Sequence, residues 1–91
     1  MVVKGGGGGS INATGWNAER LGGNVYMVSG RTAPGMIVRS QGREANAGPD
    51  GSFRLQISSQ TTEASIEIAD DIGNRAVFVI SLRNGGVLLR Y

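Results

Sequence analysis

The chain reads as an all-β sandwich, and three observations carry that reading. Apolar and polar residues alternate at period two in two separate segments, as they do on a half-buried strand. Turn signals built on Gly, Pro, Asn and Asp recur every eight to twelve residues, the spacing of a sandwich or barrel. No apolar pattern at the helical period of 3.6 persists over ten residues. The length of 91 residues suits one domain, and a hydrophobic fraction of 40% is enough to build a core.

Taken in order, Gly5–Ser10 reads GGGGGS, the composition of a flexible linker or tag. The domain is therefore expected over residues 11–91, with 1–10 set apart. A first short run, Ile11–Trp16, leads into a stretch expected to be irregular, Asn17–Asn24, where Gly22-Gly23 marks a turn. Val25–Ser29 is rich in strand formers. Pro34-Gly35 then forms a turn: proline presets φ at the second position and glycine accepts positive φ at the third. Met36–Ser40 is the next strand candidate, followed by a turn at Gln41-Gly42 and a short polar segment, Arg43–Ala47, of edge-strand character.

Behind the Pro49-Asp50-Gly51 turn, Phe53, Leu55 and Ile57 alternate with Arg54 and Gln56. Ser58–Thr62 forms a loop. Ala64, Ile66 and Ile68 then alternate with Ser65 and Glu67, and these two strands are expected to share one core. A turn at Asp70–Asn74 precedes Ala76–Leu82, apolar on both faces as in a strand covered on two sides. Asn84-Gly85-Gly86 signals a hairpin, with positive φ expected at both Asn84 and Gly85. Val87–Tyr91 would otherwise be a sticky segment. It should fold back or pair with a second copy, and self-association through Ala76–Tyr91 is the expectation, because a seven-stranded sandwich is complete by Leu82.

Several functions are disfavoured by composition. The chain has neither cysteine nor histidine, which removes disulfides, thiolate zinc sites, thiol nucleophiles and the usual neutral-pH base. Ser29 and Ser52 have no histidine to activate them. Glu63 and Glu67 would stand on one face of a strand roughly 13 Å apart, wider than glycosidase carboxylate pairs. No apolar run reaches membrane-spanning length and no signal peptide is visible. The net charge is +2, and eight arginines are dispersed along the chain. Nucleic-acid binding would need Arg39, Arg43 and Arg54 to converge.

Two constellations invite sharper readings. Asp50, Asp70, Asp71 and Asn74 offer clustered oxygens that could hold calcium. Asx side chains in glycine-containing turns also cap the backbone, and this second role is the one expected here. Trp16, Tyr26 and Tyr91 could form a sugar-stacking platform. A lone tryptophan in a small sandwich more often fills the core, which is the expectation for Trp16. Gly30, Gly35, Gly51 and Gly73 are read as serving backbone geometry.

Three motifs together resemble a known family. Val28–Gly35 is similar to the V-x-G-x-T-x-P-G opening of bacterial immunoglobulin-like domains of the glucodextranase domain-B-like and related kinds. Pro49–Phe53 matches a following x-D-G-S-F turn, and Asp70–Asn74 matches a D-x-x-G-N turn. The D-G-S-F turn also resembles carboxypeptidase regulatory-like domains. The motifs span about Ile11 to Leu82, and the chain departs from the pattern at Arg43–Ala47 and Val87–Tyr91. The resemblance implies a Greek-key sandwich of about seven strands. It also implies a spacer or accessory module of an exported bacterial protein, and with the residue chemistry above the expectation is a non-catalytic module, without cofactor, that spaces or docks neighbouring domains. A carbohydrate- or protein-binding module is the alternative.

Overall fold

The computed structural model describes residues 11–91, so the Gly5–Ser10 segment lies outside the described residues. Eight strands form: β1 (Thr14–Gly22), β2 (Val25–Arg31), β3 (Ile37–Ser40), β4 (Arg43–Asn46), β5 (Ser52–Ser58), β6 (Glu63–Ala69), β7 (Arg75–Ser81) and β8 (Val87–Arg90). They make two antiparallel sheets. Sheet A has the order β1-β2-β5, and sheet B the order β4-β3-β6-β7-β8. The chain crosses between sheets after β2, β4 and β5, so β2 pairs with β5 and β3 with β6, an interlocked Greek-key pairing. No helix among the described residues is long and apolar enough to cross a membrane.

The alternating segments supply the core. Phe53, Leu55 and Ile57 of β5 share one core with Ile66 and Ile68 of β6 and with Val28, Val38, Phe78 and Ile80, all nearly or fully buried. Arg54 and Gln56 point out of sheet A. Along β7, Ala76, Phe78 and Ile80 are buried while Val77 and Val79 stay half-buried on the outer face, which explains why that segment looks apolar on both sides. As expected, β4 is a polar edge strand.

The turns follow their residue chemistry. Ala33 accepts a 3.4 Å bond from the Met36 amide around Pro34-Gly35, and Gly35 has φ +78°, the geometry proline and glycine favour at those positions. Gly51 has φ +84°, and a Cβ there would lie 1.9 Å from the Thr32 carbonyl oxygen, so only glycine fits.

Three expectations are corrected. The segment Asn17–Asn24 is not irregular: β1 runs from Thr14 to Gly22 and starts later than Ile11. Its pattern is obscured because two register shifts each insert one extra residue against β2, between Thr14 and Asn17 and between Arg20 and Gly22. The strand count among the described residues is eight rather than about seven, because Val87–Arg90 folds back on β7. Finally, that hairpin is not a tight Asn-Gly turn. Leu82–Gly86 separates the strands, Gly85 alone of the pair has positive φ, and the Gly85 amide donates to the Ser81 carbonyl at 2.7 Å.

Candidate functional site

Trp16 sits in the first β1 bulge. Gly15, at φ +65°, supplies the left-handed residue of that bulge, and the extra residue turns the indole inward. The ring meets Phe53 at 5.5 Å between centroids, nearly edge-on, and Phe78 at 5.4 Å. Trp16 thus bridges the two sheets, which agrees with the core role expected of it. Its indole Nε1 is buried and has no hydrogen-bond partner among the described residues. Opposite Phe53, Gly30 has no side chain to obstruct the ring: a Cβ there would lie 2.8 Å from the Phe53 Cζ.

The sugar-platform trio does not assemble. Trp16 faces the interior, and Tyr26 is half-buried against the core opposite Arg20 and Ile57. Tyr91 exchanges backbone hydrogen bonds with Val77 and is 73% exposed. Ladder alternation places it on the outer side of sheet B with Val77.

The calcium candidates are likewise dispersed. The Asp50 carboxylate accepts from the Ser52 amide at 2.9 Å and from the Ser52 hydroxyl at 2.7 Å. Asp70 accepts through one oxygen from the Ile72 and Asn74 amides, and through the other from the Asn74 side-chain amide at 2.8 Å. These hydrogen bonds, the Asn74 side chain foremost for Asp70 and the Ser52 hydroxyl foremost for Asp50, hold both carboxyls below their ordinary values. Asp71 is exposed beside Asp70. The Asp50 turn lies in the crossing from β4 to β5 and the Asp70 turn closes the β6–β7 hairpin, and no group of three or more acidic, cysteine or histidine side chains suited to a metal occurs among the described residues. Asp50 and Asp70 cap their turns, and the Asn74 side chain donates to Asp70.

Glu63 is exposed on β6, whereas Glu67 accepts from Arg75 at 3.3 Å and lies 3.5 Å from Arg39. Arg39 also donates to Glu44 at 3.1 Å, and the hydrogen bond raises its already high pKa. Arg39 and Arg54 occupy the outer faces of opposite sheets, so the arginines whose convergence would signal nucleic-acid binding do not converge.

Two other places stand out. The first is the C-terminal edge of sheet B. Of six exposed large hydrophobic residues among the described residues, Val87, Leu88, Leu89 and Tyr91 fall within five consecutive positions, each about half exposed or more. Leu89 pairs with Val79 and extends the half-buried Val77 and Val79 into an apolar strip. On the inner side of the same strand, Arg90 lies over the Phe78 ring at 5.2 Å and donates to the Ile11 carbonyl. The second is a cleft of about 380 Å³ on sheet A, at the β1 bulge, with Arg31 and Arg54 on its rim. Sequence reading missed this pair because 23 positions separate the two arginines, and only strand register brings them together.

No protein-family model, curated protein or solved structure matches the chain.

Proposed function

We propose that this sandwich is a non-catalytic structural or accessory module that docks onto other protein surfaces through the C-terminal side of sheet B. The concentration of exposed Val87, Leu88, Leu89 and Tyr91 on β8 and the residue just after it carries the reading. Scattered exposed apolar residues are ordinary, but a contiguous group marks an interaction surface. Three of the four residues of this edge strand are apolar, and its one charge, Arg90, is turned inward over Phe78, so no charge stands on its outer side. The three turn motifs shared with bacterial immunoglobulin-like modules support the same reading, with neighbouring domains of an exported protein as partners. A second copy of the chain is a further partner that the strip would accept.

Photo-crosslinking tests this. Tyr91 is replaced by p-benzoylphenylalanine in the full-length protein that carries the domain, with the same replacement at Glu19 on β1 as control. Position 91 should give one discrete adduct, lost when Leu89→Lys is added, and position 19 should give none. Mass spectrometry of the adduct identifies a neighbouring domain, a second copy or another polypeptide. Equal, diffuse labelling from both positions, or none from position 91, would overturn the docking role.

A further inference from the structure

The two sheets treat their outward arginines differently. On sheet B, Arg39 and Arg75 meet Glu44 and Glu67 within 3.1–3.5 Å, so two cations face two anions. On sheet A, β2 and β5 set Ser29 opposite Arg54 and Ser52 opposite Arg31. That register puts the two arginines at diagonal positions of one outer face, residues about 7–8 Å apart. Asp50 reaches Arg31 only at 3.8 Å, with both side chains more than 60% exposed. Arg54 makes no ion pair or hydrogen bond among the described residues. Like charges on neighbouring strands of one face repel, and this face leaves Arg54 without an acid.

The pair borders a hollow. The first β1 bulge lies beside it, and an added Cβ on Gly15 would meet nothing within 4 Å. Gly15 and Gly30 line a cleft of about 380 Å³ there without side chains, together with Arg31, Arg54 and Ser29, while the Phe53 ring turns to the opposite face and into the core. That volume lies at the lower end for small-molecule sites. The Ser52 hydroxyl is committed to Asp50, whereas the Ser29 hydroxyl has no partner among the described residues. Guanidinium groups present a planar fork that matches a carboxylate.

We infer that this cleft binds a small dicarboxylate. One carboxylate is held by Arg54 and the Ser29 hydroxyl, the other by Arg31 in place of its long contact with Asp50, and the intervening carbons lie on the glycine floor. Two cationic groups set apart on one face favour two anionic ends over a single one. Because both guanidinium groups are exposed, affinity is about millimolar.

The test is an NMR titration at constant ionic strength, following the arginine Nε–H signals and backbone amides. Glutarate is the main probe, with acetate and inorganic phosphate in parallel. Glutarate should give saturable shifts at Arg31, Arg54 and Ser29 with a Kd of about 1–10 mM, and acetate should bind at least about fivefold more weakly. Arg54→Gln and the charge-keeping Arg54→Lys should each weaken glutarate at least about fivefold, at an unchanged melting temperature. Arg83→Gln, in the β7–β8 connection, should leave it unaltered. Shifts that never saturate, an equal loss in Arg83→Gln, or phosphate binding as tightly as glutarate would each overturn the assignment.

Discussion

Single residues hold the turns, and two of them make the strongest residue-scale expectations. Gly51 combines φ +84° with a carbonyl oxygen where a side chain would begin. Gly51→Ala should therefore cost more than about 2 kcal/mol in a thermal or denaturant melt, since strain and clash act together. An effect below about 0.5 kcal/mol would mean the turn can rearrange. Asp70 acts through its charge. Its carboxyl is held below the ordinary value by the Asn74 side chain and by backbone amides, so the folded state binds the proton less readily than the unfolded one. The stabilisation is fully present above the ordinary carboxyl pKa and is lost as pH falls through the lowered one, below about pH 4. Asp70→Asn should flatten that part of the stability–pH curve, and a curve unchanged by the substitution would place the acid sensitivity elsewhere, with Asp50 as the next candidate.

At the scale of elements, the hairpin of β7 and β8 closes the sandwich. Four backbone hydrogen bonds link Gly85, Gly86 and Tyr91 to Val77 and Ser81. Gly85 packs so closely on β1 that an added Cβ would lie 2.7 Å from the Asn17 Cα. Arg90 covers Phe78. A chain ending at Arg83 loses all of this and should be less stable by about 2–6 kcal/mol, taking about 0.5–1.5 kcal/mol for each hydrogen bond. Unchanged stability on truncation would show the strand to be a mere tail. The elements of the core were legible beforehand, because period-two alternation at Phe53–Ile57 and Ala64–Ile68 has no other good explanation. Strand β1 was not: its two inserted residues shift the alternation partway along, so Ala18 faces inward while the local sequence shows no pattern.

For the whole molecule, the expected property is independence from divalent metal. The oxygens of Asp50 and Asp70 already accept hydrogen bonds from their own turns, and a cation would have to displace those donors. Millimolar calcium should shift the melting temperature by less than about 2 °C relative to a chelated sample, given that about 1 kcal/mol corresponds to about 4–8 °C in a domain this size. A rise of ten degrees would turn the capping residues into ligands. By itself, the sequence determined the all-β class, the places of most turns, the shared core of β5 and β6 and the caps at Asp50 and Asp70. All of these rest on interactions between residues a few positions apart, or on a periodicity that one segment displays alone. Tertiary structure decided the aiming of Trp16 between Phe53 and Phe78, the docking of the last hairpin on β1 and the meeting of Arg31 with Arg54. Those depend on bulges and cross-strand register, which arise only when segments distant in the chain pair, and no local pattern encodes them.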